Sequence, residues 1–161
     1  MLRLAEVCRD VVVVAGPESP KPDLPSGPNL RLARDPVAGQ GPLAGLAAGL
    51  AEVGTELALV AAGDMPDLSV AVLGAMVAQA RESGAEATAL EQGGTLRPLP
   101  AILRAEPARR AAQALLDRGE RSLTALLATL RVTRLDESTW RDLDPEGKTL
   151  RDIDRPQDLS S

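Results

Sequence analysis

With 161 residues and a formal net charge of −5, the chain has the length of one domain, residues 1–161, and an acidity that argues against nucleic acid polymers as partners. It holds no Phe, Tyr or His and one Trp, Trp140, so its core must be packed from Leu, Val, Ala and Ile. Without imidazole, catalysis would rest on carboxylates, Lys, Arg, backbone groups or a metal held by oxygen.

The single cysteine, Cys8, cannot form an internal disulfide and reads as a small core residue in a reducing compartment. No apolar stretch is long enough to span a bilayer, and the amino terminus lacks a signal-peptide layout, so the expected location is cytoplasmic, with no membrane partner.

In chain order, Leu2, Leu4, Ala5 and Cys8 fit the last turns of a helix, and residues 10–15 (DVVVVA) predict a central parallel strand. Residues 16–29 hold five prolines and two glycines and form a loop, followed by a short strand at 30–33 and a second loop at 34–40. Gly41-Pro42 opens a helix with Leu43, Leu46, Ala47, Leu50 and Val53 on one face. Gly45 and Gly49 let that helix lie close on the sheet. Residues 57–62 (LALVAA) lack polar alternation, the pattern of a strand covered on both faces.

Ser69 is placed to cap a helix carrying Val70, Leu73, Val77 and Ala80, which Gly84 ends. Residues 85–90 and 96–103 predict strands joined by EQGGT, a glycine-rich hairpin turn. Pro107 starts a helix that Gly119 ends, and Ser122 is placed to cap another with Leu123, Leu126, Leu127 and Leu130 as its stripe. Strands follow at 131–136 and 150–153. Strands alternating with helices predict a parallel or mixed sheet in a three-layer α/β sandwich.

Three stretches carry candidate chemistry. In RDPVAGQGPLAGLAAGL, residues 34–50, glycines bracket a helix start whose N–H groups and positive dipole end suit a phosphate, although Gly-Pro also merely starts helices. In GDMPDL, residues 63–68, Asp64 ends a buried strand where open α/β sheets place ligands; it could equally cap the next helix. In LRDIDRPQDL, residues 150–159, Asp152 and Asp154 would share one face of a strand, which is costly unless a cation or solvent separates them; Asp154 would also serve as a helix cap.

Taken in order with VVVVAG, LRPLPAILR and GERSLTALL, these stretches resemble the molybdenum cofactor guanylyltransferases. The resemblance implies a glycosyltransferase-A-like nucleotidyltransferase: an α/β/α sandwich with a mostly parallel, Rossmann-like sheet. It implies transfer of GMP from GTP to a molybdopterin-type cofactor, with Mg2+ and release of pyrophosphate. Asp64 would then be the principal Mg2+ ligand and catalytic residue, with Asp152 and Asp154 beside the metal. Asp35 and Gly41 would contact the nucleotide, and Arg97, Arg121 and Ser122 would line the acceptor side.

The family's opening strand and glycine-rich loop, resembling L-A-G-G-x-S-x-R-M-G-x-D-K, have no counterpart here. The expectation is a sheet whose first strand is missing from between residues 10–15 and 57–62, an amino-terminally incomplete domain with little transferase activity. A cytidylyltransferase on the same scaffold and a noncatalytic binding protein are the alternative functions. A monomer and a homodimer are both compatible with the sequence.

Overall fold

The computed structural model describes residues 2–16, 19, 29–34 and 41–151. Asp35, Asp152 and Asp154 lie outside the described residues. Six helices and six strands alternate along the described chain: α1 (Leu2–Val7), β1 (Val11–Ala15), β2 (Leu30–Arg34), α2 (Pro42–Ala51), β3 (Leu57–Val60), α3 (Val70–Ser83), β4 (Ala87–Gln92), β5 (Thr95–Arg104), α4 (Ala105–Asp117), α5 (Leu123–Thr129), β6 (Val132–Leu135) and α6 (Glu137–Leu143). A 3-10 turn, Lys148–Leu150, closes the described chain.

The strands form two sheets. β1 and β2 pair in parallel, while the other four take the order β3-β5-β4-β6. β4 and β6 are parallel, and β5 runs antiparallel to both β3 and β4. The antiparallel strand follows from the predicted hairpin, whose turn is tighter than EQGGT suggests: only Gly93 and Gly94 lie outside the strands, at φ 58° and 77°. Two consecutive left-handed positions are what a two-residue hairpin turn requires, and glycine adopts them without a Cβ clash.

Side chains alternate across the four-stranded sheet into two apolar clusters, one per face. Ala58, Ala87, Ala89, Ala101 and Leu103 meet α2, α4 and α5 through Leu43, Leu50, Ala108, Ala112, Leu126 and Leu127. Leu90, Ile102 and Leu135 meet α3 and α6 through Val72, Leu73, Met76, Ala80 and Trp140, and Leu4 and Val7 of α1 pack against the same cluster. Helices on both faces make the α/β/α sandwich. The absence of Phe and Tyr is met by close approach: alanines on α4 face alanines on the sheet, and leucines fill the remaining volume.

Helix ends follow the predicted chemistry. The Ser69 hydroxyl accepts from the Val72 N–H at the start of α3, and Gly84 ends that helix at φ 61°. The Ser122 hydroxyl accepts from the Ala125 N–H at the start of α5. Arg109 of α4 donates to the Leu50 carbonyl at 2.8 Å and to the Val53 carbonyl, satisfying orphan acceptors where α2 ends and tying the two helices together.

Four expectations are corrected. Residues 10–15 are not a central strand: β1 belongs to the two-stranded sheet, and among the described residues no strand lies on its other edge. Nor is β3 covered on both faces throughout; only Ala58 is buried, since the strand lies at an edge of its sheet. The helix assigned to Pro107 begins two residues earlier, at Ala105, with Pro107 inside its first turn. Leu150 ends a 3-10 turn instead of starting a strand. Among the described residues β1 and β3 therefore belong to different sheets.

α2 packs on β1, β2 and α4. A Cβ built on Gly49 would stand 2.9 Å from Val14 Cγ2, while one on Gly45 would be 4.0 Å from Val14 Cγ1, so Gly49 is the position that demands a bare backbone.

Candidate functional site

The chain leaves β3 at Val60 and turns at Gly63-Asp64 before entering α3. Met65 and Leu68 are buried at 4% and 3% exposure in the cluster beneath α3, and Ser69 caps the helix. These anchors leave Asp64 exposed on a corner held from below. Its carboxylate meets no described hydrogen-bond donor, and the capping role falls to Ser69.

β5 passes the same end of the sheet. Val60 pairs with Ala101, so residues 95–100 run on past the end of β3, and Arg97 lies in that overhang. The Arg97 Nε is buried without a hydrogen-bond partner among the described residues.

Gly41 caps the start of α2 at φ 80° and lies against the segment before α5: a Cβ built on it would be 3.0 Å from Arg121 Cβ. The Leu43 N–H donates to the Arg121 carbonyl at 3.3 Å, and the Ala44 N–H to the Gly41 carbonyl at 3.2 Å. Pro42 has no N–H. On residues 42–44 the start of α2 thus has no N–H left free; residues 35–40 of the predicted phosphate-binding stretch lie outside the described residues.

Arg121 is likewise engaged, its guanidinium donating to the Leu116 and Glu120 carbonyls at 3.1 and 3.0 Å. Glu120 accepts from the backbone N–H groups of Arg121 and Ser122 at 2.7 and 2.9 Å. These two bonds hold its carboxyl below the usual range. Sequence reasoning passed over Glu120, although a carboxylate two residues before a helix cap is a local signal for it.

Of the candidates read from the sequence, Gly41 and Arg121 are brought into direct contact, with Ser122 next to Arg121 in the chain. Asp64 and Arg97 share the end of the sheet where β3 stops, without a described contact to that group. An apolar pocket lined by Leu46, Val60, Leu99, Leu123 and Leu127 joins α2, the end of β3, β5 and α5.

Among the described residues no three or more Asp, Glu, Cys or His side chains gather to hold a metal. The donor at hand is the exposed oxygen pair of Asp64. One or two carboxylates completed by phosphate oxygens and water are the ligand set that suits Mg2+, so Asp64 fits that ion.

An open α/β sandwich with a carboxylate just beyond a strand's carboxyl end is the architecture in which ligands bind at strand ends. Structures of the same fold include 2-C-methyl-D-erythritol 4-phosphate cytidylyltransferase of Thermus thermophilus, with a TM-score of 0.70 at 17% identity over 98% of this chain and 82% of that one. Molybdopterin-guanine dinucleotide biosynthesis protein A of Archaeoglobus fulgidus aligns with a TM-score of 0.69 at 26% identity, over 80% of this chain and 64% of that one.

Residues 1–134 match the MobA-like NTP transferase domain, and the chain belongs to that family. A "Probable molybdenum cofactor guanylyltransferase" of Chloroflexus aggregans is 32% identical over 160 residues, 97% of this chain and 73% of the relative. One of the same name from Mycobacterium tuberculosis is 36% identical over 127 residues. That match spans 77% of this chain and 60% of the mycobacterial protein.

Proposed function

We propose that the chain carries a guanylyltransferase chemistry, transferring GMP from GTP to a molybdopterin-type cofactor and releasing pyrophosphate. The observation that carries this reading is Asp64: an exposed carboxylate on a corner anchored by buried Met65 and Leu68, at the end of β3, in a chain of the MobA-like family.

Asp64 would hold Mg2+, with Asp152 and Asp154 as the further carboxylates. The metal supplies charge neutralisation on the reacting phosphates and fixes their line of approach. Phosphate nucleophiles are already anionic, so the lack of histidine costs the reaction nothing. Arg97 is the cation at this end of the sheet with donors uncommitted to described residues, and it suits a phosphate of the acceptor. Arg121, bound to two carbonyls, shapes the wall against Gly41. Asp35 is assigned to the nucleotide.

The test is an assay of the purified chain with GTP, Mg2+ and molybdopterin-type cofactor, following pyrophosphate and the GMP adduct, with CTP as competitor. GMP transfer is expected, and it is expected to be slow in the 161-residue chain because the divided sheet leaves β1 and β3 without mutual support. Transfer from CTP in preference to GTP would make it a cytidylyltransferase. Magnesium-independent binding without any transfer would support the noncatalytic reading.

A further inference from the structure

The β4-β5 hairpin reaches beyond its sheet. β6 pairs with β4 only as far as Leu90, and β3 pairs with β5 only as far as Ala101, so residues 91–100 form an arm with no strand on either side among the described residues. A two-stranded hairpin standing alone is marginal in water. Leu96 and Leu99 join the apolar clusters on the two faces of the sheet. The described polar contacts from outside the hairpin come from β6 and α6. Arg134 donates to Glu91 Oε2 at 2.8 Å, the Trp140 indole N–H donates to the Glu91 carbonyl at 2.8 Å, and the Gly93 N–H donates to Glu137 Oε2 at 2.7 Å.

The last of these bonds reaches the tip of the arm. Gly93 opens the left-handed turn, and its N–H lies outside the ladder, which ends where Gln92 pairs with Thr95. Glu137, in the first turn of α6, takes that donor with one oxygen and the Arg141 Nε–H with the other, at 2.7 Å. The Arg141 guanidinium in turn lies over the Trp140 ring, 4.7 Å from its centre. A carboxylate held by a cation one helical turn further on is a well-oriented acceptor. The Glu137 side chain is 32% exposed, so removing it opens no cavity in the core.

Arg97 lies on this arm. Val60 and Ala101 are the last paired residues of β3 and β5, and Asp64 and Arg97 each stand four positions beyond them, at the same end of the sheet. The Arg97 Nε is buried, and no described residue accepts from it. We infer that Glu137 is a positioning residue: by pinning the hairpin tip to α6, it holds Arg97 at the end of the sheet where Asp64 lies, with its donors free for a phosphate group. The inference rests on the reading of that end of the sheet as a phosphate site, but the pinning can be measured without a substrate.

Nuclear magnetic resonance of the chain reads both parts. Amide exchange reports whether the arm is pinned. Titration with inorganic pyrophosphate, followed at the Arg97 Nε–H and the neighbouring amides, reports whether Arg97 receives the anion. Glu137→Ala is expected to speed exchange at Gly93 and Thr95 about tenfold without touching α4. It is also expected to weaken pyrophosphate binding about fivefold. Loss of a negative charge by itself favours an anion, so the expected weakening has the opposite sign to a charge effect. Glu137→Gln, whose amide oxygen still accepts from Gly93, is expected to restore most of both. Glu106→Ala removes an exposed carboxylate paired with Arg109 on α4, and is expected to leave both readouts unchanged.

Exchange in the arm that does not respond to Glu137→Ala would overturn the inference. So would pyrophosphate affinity that is unchanged in Glu137→Ala but lost in Arg97→Ala, a result that leaves the phosphate reading standing. No response of the native Arg97 signal to pyrophosphate would refute that reading and the inference with it, even with the arm loosened in Glu137→Ala.

Discussion

Two strands meet fates opposite to what their sequences suggest in this protein. β1 is a run of four valines and β4 is ATALEQ, yet in β4 Ala87, Thr88, Ala89 and Leu90 are at most 2% exposed, while every residue of β1 is only half-buried. β4 is paired on both edges, to β5 and β6, and helices cover both its faces. β1 is paired on one edge, and α2 covers it. An apolar run states what a strand tolerates; its neighbours decide what it buries. The four-stranded sheet should therefore carry most of the stability, and the β1-β2 unit should open first.

The largest expected effect is in the four-stranded half. Trp140 is fully buried and donates its indole N–H to the Glu91 carbonyl at 2.8 Å. Trp140→Ala should cost about 3–5 kcal/mol in urea unfolding, close to a small domain's whole stability. A loss under about 1 kcal/mol would mean that this half is not the stable one.

A pair of identical substitutions sharpens the contrast. Gly49→Ala drives a methyl into Val14, and its overpacking cost of about 1–3 kcal/mol should exceed the helix-propensity gain. Gly74→Ala, in α3 with nothing within 4 Å of the new Cβ, should stabilise by about 0.5–1 kcal/mol. Amide exchange should place the Gly49 effect in β1 and α2 alone. A loss spread evenly over β4 and β5 would contradict a separately opening unit.

The smallest effect is a pH dependence. Burial pushes the Asp144 carboxyl up, but hydrogen bonds from the Thr149 N–H and hydroxyl and the Lys148 N–H outweigh it and hold the group below its usual value. A pKa lower in the folded chain than the unfolded value of about 3.9 adds stability that is full above that pH. The contribution fades as pH falls through the folded pKa. The urea midpoint of the native chain should therefore fall more between pH 5 and 3 than that of Asp144→Asn. Parallel curves would show that Asp144 is not held as described.

The succession of strands and helices, both serine caps and the hairpin were legible in the sequence because each depends on local residue chemistry. α6 was not: ESTWRDL has two large apolar residues, of which Leu143 is exposed and Trp140 is buried by what folds around it. The start of α2 shows the same dependence on distant residues. The N–H groups of Leu43 and Ala44 are taken by the Arg121 carbonyl, 78 residues after Leu43, and by the Gly41 carbonyl, a pairing that no local sequence pattern reveals. Asp64 was legible as a strand-end carboxylate, whereas the Glu137 bond required knowing that residues 93 and 137 meet.

The central claim, that the exposed carboxylate ending β3 serves a metal-nucleotide site, is tested most directly by calorimetric titration of GTP into the chain with and without Mg2+, repeated with Asp64→Asn. The account predicts Mg2+-dependent binding that weakens at least about tenfold in Asp64→Asn, equivalent to 1.4 kcal/mol. Binding that is indifferent to Mg2+ or unchanged in Asp64→Asn would contradict it.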